Sequence, residues 1–342
     1  MTHASRCLAR AAAPAAALAV ALTLAAGPRV ALAQAPAFRA SWPLPASACT
    51  TSRITTDPSG AVFVTRLIGC SWTMGPSALD KYTPAGALLA SGTSIGDAIG
   101  LRADANGAVH VLTYEGNMNV PKGRVLTFTN DCGALSDSTG DTGLQLDNAQ
   151  GLAVNAAGYS YVGNRKAWWS WATEIPSTVL EFTATGSRVR TLLGRSWPHQ
   201  YMPLDCDARG DLYVAESEYP SSAWQINRYA PDSTFLGTWG HVGVGALAGV
   251  TVMTSFTVAP NGHVFLVNAG CQVMEFDERG TLLATWGSCG SGEGQFQSAS
   301  DLAVDRDGDV FVLDSNLRVL VFSPVATPAK TSSWGRLKAA YR

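Results

Sequence analysis

The chain has 342 residues, with 24 Lys and Arg against 26 Asp and Glu and a formal net charge of −2 at pH 7. Only 15% of the residues are charged and no Lys/Arg cluster stands out, which argues against nucleic-acid binding, where phosphate neutralisation dominates affinity. Beyond the first 33 residues no apolar stretch is long enough to cross a bilayer as a helix.

Residues 1–33 read as a removable secretory leader. Arg6 and Arg10 precede an Ala/Leu/Val run from about Ala15 to Ala26, and Ala31-Leu32-Ala33 offers a small-x-small cleavage pattern before Gln34. Cys7 lies upstream of the apolar run, badly placed for lipid attachment. Cleavage near Ala33 implies a secreted, periplasmic or cell-surface protein. Without Arg6, Arg10 and Arg29, the Lys and Arg total falls from 24 to 21, and the mature charge is about −5.

From residue 34 the chain repeats. Six copies of one pattern, an apolar run, a polar turn ending in glycine and a second apolar run, read ITTDPSGAVFV, LRADANGAVHV, LAVNAAGYSYV, LDCDARGDLYV, FTVAPNGHVFL and LAVDRDGDVFV. The turn glycines are Gly60, Gly107, Gly158, Gly210, Gly262 and Gly308, spaced by 47, 51, 52, 52 and 46 residues. Asp57, Asp104, Asn155, Asp207 and Asp305 stand three residues before their glycines, where an Asx side chain can bond the backbone two residues on. Ala259 breaks this rule in the fifth copy, where Pro260 and Asn261 still suit a turn. A second half follows each hairpin, with an aromatic at Tyr82, Phe128, Phe182, Tyr229, Phe276 and Phe322, and further strands such as FLGTWG and LLATWG. Short strands at this period predict an all-β fold, a six-bladed β-propeller with four strands per blade, over residues 34–323. Residues 324–342 read as a Pro-rich linker and a basic tail.

A propeller must close its ring, and two segments compete to supply the outer strand of blade six. One is FRASW at Phe38 to Trp42; the other is residues 331–335 of the tail. Pairing of FRASW with Arg318 to Phe322 is the predicted closure, because it joins the chain ends and covers an apolar edge.

The segment DLAVDRDGDVFVLDSNLRVLVF, with GSGEGQF upstream, resembles the NHL repeat: a glycine-rich lead, an apolar-Ala-Val-Asp strand, a Gly-centred turn, then Arg-apolar-Val-Phe. Blade six matches best, and the resemblance covers about residues 37 to 335. It implies the propeller fold and leaves function open, since the repeat is a scaffold for unrelated tasks. NHL-type amidating lyases hold zinc with convergent histidines; here His110 occupies an aromatic slot shared with Phe63, Tyr161, Tyr213, Phe265 and Phe311, and His263 follows a turn glycine.

In a blade, the b–c and d–a loops leave one face and the a–b and c–d turns the other. Cys49, Cys70, Cys271 and Cys289 should all reach the loop face, so Cys49–Cys70 and Cys271–Cys289 are the economical disulfides, with Cys132 and Cys206 free. The competing reading makes all six small buried thiols. The loop face also carries Trp168, Trp169 and Trp171 in NRKAWWSWATEIP, Trp197, His199 and Tyr201 in RSWPHQYMP, and Tyr219 and Trp224 in ESEYPSSAW, beside Glu216 and Glu218. These aromatics either contact a ligand or cap the gap between blades three and four. Arg66, Thr113, Asn164, Glu216, Asn268 and Asp314 end the second strands, near the channel by this reading. Four of them, Asn164, Glu216, Asn268 and Asp314, offer oxygen ligands to a cation, or bond their own loops.

The sequence therefore points to an exported, non-enzymatic scaffold without a cofactor, binding a protein, glycan or small molecule through its loop face. The alternative is a metal-dependent hydrolase or lyase at the channel mouth, using Ca²⁺ or Zn²⁺.

Overall fold

The computed structural model describes residues 34–45, 48–68, 76–92, 95–115, 122–137, 146–147, 149–164, 177–195, 203–218, 223–240, 253–268 and 271–325. All of their regular structure is β-strand, in six small antiparallel sheets arranged as a six-bladed propeller and one short parallel pair. Strands a to d of blade one are Ala48–Thr56, Val62–Ile68, Ser77–Tyr82 and Leu88–Ser91. Blade two comprises Asp97–Ala103, Val109–Glu115, Lys122–Phe128 and Ala134–Asp137, with Leu146–Asp147 also beside its strand c. Blade three comprises Ala149–Val154, Ser160–Asn164, Ser177–Phe182 and Arg188–Arg195; blade four, Leu204–Cys206, Leu212–Glu218, Ala223–Tyr229 and Phe235–Trp239. Blade five comprises Met253–Val258, Val264–Asn268, Gln272–Phe276 and Leu282–Trp286. Blade six has strands a to c at Ala299–Val304, Val310–Asp314 and Arg318–Ser323. Each strand a touches the strands a of its two neighbours, so the six form the channel wall.

The repeated turns fold as their composition dictates. In five of the six a–b turns an Asx Oδ1 accepts two backbone N–H bonds, from the residues two and four positions on; Asp57 takes Ser59 and Ala61, each at 2.9 Å. Asp104, Asn155, Asp207 and Asp305 do the same. Gly60 closes its turn at φ +88°, a conformation that a side chain disfavours. In blade five Asn261 takes the amide of His263 at 3.0 Å, and Ala259 contributes only its backbone. The c–d turns repeat the device with Thr83, Thr129, Thr183 and Asp277.

Strand d of blade six is Ala37–Pro43, from the other end of the chain. It pairs antiparallel with strand c, Phe38 opposite Phe322 and Trp42 opposite Val319. The predicted FRASW closure is thus realised.

The core is divided into six apolar clusters, one between each pair of neighbouring blades. Three of the junctions share a clasp. A strand-d tryptophan of one blade packs on the strand-c aromatic of the next: Trp239 on Phe276, Trp286 on Phe322, and Trp42 on Tyr82, with ring centroids 5.2, 6.3 and 4.9 Å apart. Trp42 also lies flat against Gly86, where a Cβ would have no room. The N-terminal strand therefore carries the same clasp that the covalent strands carry. Trp224 lies in strand c of blade four, buried at 4% exposure, and belongs to this core rather than to a loop.

Candidate functional site

The channel is lined by strands a, and a pair of charges crosses it. Arg102, from blade two, donates Nε to Asp205 Oδ1 in blade four at 3.1 Å. Its Nη2 reaches the carbonyls of Leu204 at 3.3 Å and of Phe256, in blade five, at 3.4 Å, while Nη1 bonds the Leu101 carbonyl at 2.8 Å. Asp205 Oδ2 accepts from Thr257 Oγ1 at 2.7 Å and Val258 N at 2.8 Å, and Oδ1 also takes Cys206 N at 2.9 Å. Burial opposes the Arg102 charge, but Asp205 first and then Asp301 outweigh it and raise the guanidinium's pKa. Asp301 braces a second layer. It accepts from Ile54 N of blade one at 3.0 Å, from Leu302 N at 2.9 Å and from the Ser255 hydroxyl of blade five.

Sequence reasoning passed over this girdle, although the repeat carries its signal. Thr55, Arg102, Ala153, Asp205, Thr257 and Ala303 each stand five residues before a turn glycine. Aligned copies thus place two opposite charges at one channel-facing position that is otherwise Thr or Ala.

On the turn face the girdle floors a funnel of about 370 Å³, bordered by the a–b turns of all the blades and by Arg102, Asp205 and Cys206. The Cys206 thiol is free. Burial, then Asp205 and Asp207, push its pKa well above the usual thiol range, so it stays protonated and weakly nucleophilic.

The strand-b ends lie one strand out from the channel wall, and the side chains of four of them bond within their own blades. Arg66 pairs with Asp80. Glu216, 1% exposed, accepts from Asn227 Nδ2 at 2.9 Å. Asn268 takes Gln272 N at 3.2 Å. Asp314 holds Gln297 N and Ser298 N, both at 3.1 Å, and pairs with Arg318 Nε at 3.0 Å. Thr113 Oγ1 and Asn164 Oδ1 are buried without a hydrogen-bond partner among the described residues. Among those residues, no group of three or more His, Cys, Asp or Glu side chains could hold a metal ion. His110 is buried, with Nε2 3.5 Å from Asp104 Oδ2 and Nδ1 3.3 Å from Thr127 Oγ1, and fills its aromatic slot. His263 Nδ1 pairs with Glu275 at 2.7 Å.

On the loop face Cys271 and Cys289 are bonded, with Cα atoms 5.0 Å apart, while Cys132 and Cys206, toward the turn face, are free. This pins the b–c loop of blade five to the glycine-rich lead of blade six. The lead adds a parallel pair of two-residue strands, Ser288–Cys289 and Gln295–Phe296. Trp168, Trp169, Trp171, Trp197, His199, Tyr201 and Tyr219 lie outside the described residues, as do the side chain of Glu218 and the Cys49–Cys70 pairing. No helix of the described residues is long and apolar enough to cross a membrane.

No protein-family model matches the chain, and no curated protein matches it. Solved structures do. A structural-genomics protein of unknown function from Bacteroides thetaiotaomicron superposes with TM-score 0.56 at 12% identity, covering 84% of this chain and 73% of that one. Streptogramin B lyase superposes with TM-score 0.54 at 9% identity, covering 83% and 96%. At such identities the likeness is one of fold.

Proposed function

We propose that the protein is an exported, non-enzymatic binding scaffold of the NHL type, which recognises a protein, glycan or small ligand through the loop face of blades three and four. One observation carries the reading. The strands that bracket residues 165–176, 196–202 and 219–222 all end on the same face of two adjacent blades. Those three intervals contain Trp168, Trp169, Trp171, Trp197 and Tyr219, aromatics of the kind that dominate binding interfaces. The frame beneath them is braced across the channel by Arg102 and Asp205 and suits rigid presentation. The disulfide agrees with export to an oxidising compartment, and the leader with cleavage near Ala33.

The test is the Trp168→Ala/Trp169→Ala double variant. A binding face predicts an unchanged melt and affinity weaker by about 2 kcal/mol or more per tryptophan, measured on a ligand captured from a glycan array or surface-protein panel. A gap cap predicts a loss of several kcal/mol of stability instead. Stoichiometric Ca²⁺ or Zn²⁺ in the purified protein would favour the hydrolase or lyase reading.

A further inference from the structure

Five blades join strands c and d by a tight covalent turn, but in blade six the two strands come from opposite ends of the chain. Where the sixth turn would lie there is instead a cavity of about 360 Å³, bordered by Gln34, Pro36, Glu275, Asp305, Asp307 and Pro324. We propose that this seam cavity receives the chain's own amino terminus: once the leader is removed behind Ala33, the new α-ammonium group of Gln34 is bound by the Asp305 carboxylate. The proposal rests on the leader reading given above.

Asp305 is 5% exposed and borders the cavity. Its Oδ1 takes the turn amides of Asp307 and Asp309, both at 2.9 Å. Its Oδ2 has no hydrogen bond among the described residues. The corresponding atoms elsewhere are answered: Asp57 Oδ2 takes Asn130 Nδ2 at 2.6 Å, from the c–d turn of blade two, and Asp207 Oδ2 takes Arg209 Nη2 at 2.9 Å. By the Asp57 pattern the answer to Asp305 would come from the c–d turn of blade one, where Pro84 stands at the place of Asn130 and carries no side-chain donor, and residue 34 borders the same cavity as Asp305. The surrounding charge is acidic. Glu275 is held by His263 at 2.7 Å and Asp309 by Arg39 at 2.9 Å. Arg306 turns its Nη1 to the Pro58 carbonyl at 3.4 Å, with Asp307 at 3.9 Å from its Nε. Burial, and then Asp309 and Asp307, outweigh the turn amides and hold the Asp305 pKa above its ordinary value. A cation beside Oδ2 relieves that penalty. The rival occupant is the tail beyond Val325, which carries Lys330, Arg336, Lys338 and Arg342.

The test compares the chain beginning at Gln34 with the same chain carrying a short neutral Gly/Ser extension. At about pH 6.5 the Gln34-start form melts about 2 °C or more higher. An ammonium whose pKa is raised by folding stabilises fully below its unfolded value of about 8, and the advantage fades as pH rises through the folded value. Asp305→Asn abolishes the advantage yet keeps the turn, as Asn155 caps the same turn in blade three through Oδ1. A second readout is chemical. Cyclisation of an N-terminal glutamine needs the neutral amine to attack the side-chain Cδ, forming the lactam C–N bond and expelling ammonia. The bound ammonium resists it, so Asp305→Asn raises the cyclised fraction seen by mass spectrometry on storage. Equal melting of the two forms, or an advantage that survives Asp305→Asn, overturns the proposal. So does an advantage that vanishes on truncation after Val325, which assigns the cavity to the tail. N-terminal sequencing of the exported protein tests the leader cleavage separately.

Discussion

Asp205→Ala tests whether the channel girdle holds the ring. The carboxylate is 5% exposed and accepts four hydrogen bonds, from Arg102, Cys206, Thr257 and Val258. Its loss leaves the Arg102 guanidinium, whose side chain is 13% exposed, with only the more distant Asp301 as counter-charge, at a cost of about 3 kcal/mol. The amides of Cys206 and Val258 also lose an acceptor, at about 1 kcal/mol or more each. Water entering from the funnel offsets part of this, so we expect a net loss of about 4 kcal/mol. Urea denaturation, followed by tryptophan fluorescence, measures it. Adding Arg102→Leu removes the stranded charge, and the double variant should recover about 2 kcal/mol relative to the sum of the single changes. A single-variant loss below about 1 kcal/mol, or strict additivity, would refute the girdle: it would mean that water already screens the pair.

Deleting residues 34–43 removes Trp42, which is 6% exposed, and uncovers strand c of blade six, so stability should fall by several kcal/mol; a deletion that melts like the parent would show that another segment closes the ring. Non-reducing peptide maps should recover Cys271 joined to Cys289, and Cys271→Ser/Cys289→Ser should cost about 3 kcal/mol for a loop of this size. A Cys132–Cys206 peptide would contradict the blade register. Cys132 is buried, with its pKa pushed up to about 11 by burial and then by Asp80, so at pH 8 a thiol reagent should label it only after unfolding. Rapid labelling of Cys132 in the native protein would count against the buried position.

The frame was legible because propeller repeats impose the same local chemistry six times. Asp57, Asp104, Asn155, Asp207 and Asp305 announce their turns, and each makes the predicted bond to the residue two positions on. Closure was legible for the same reason: FRASW has the alternation and the tryptophan of an outer strand, and Trp42 makes the clasp on Tyr82 that Trp239 makes on Phe276. The channel was not. Attention to strand-b ends selected Glu216 and Asp314, whose second-strand backbone lies behind the wall and whose side chains bond their own blades. Polar residues beside a loop look alike in sequence whether they serve a ligand or the loop. Arg102 and Asp205 look unremarkable within their separate copies, and their pairing becomes meaningful only when the closed ring brings blades two and four to one channel.

This contrast bears on how a repeated fold keeps a single closed form. Near-identical blades offer many equivalent pairings, and the apolar clusters between them discriminate poorly among those. Asymmetric polar residues discriminate well, because a buried charge opposite the wrong copy has no partner. Arg102 finds Asp205 only when blades two and four share one closed channel, and Ile54 N finds Asp301 only when blade one packs beside blade six. The second contact lies at the very junction that the N-terminal strand completes from outside. The inner polar contact and the outer Trp42 clasp therefore fix one junction from both edges of the sheet.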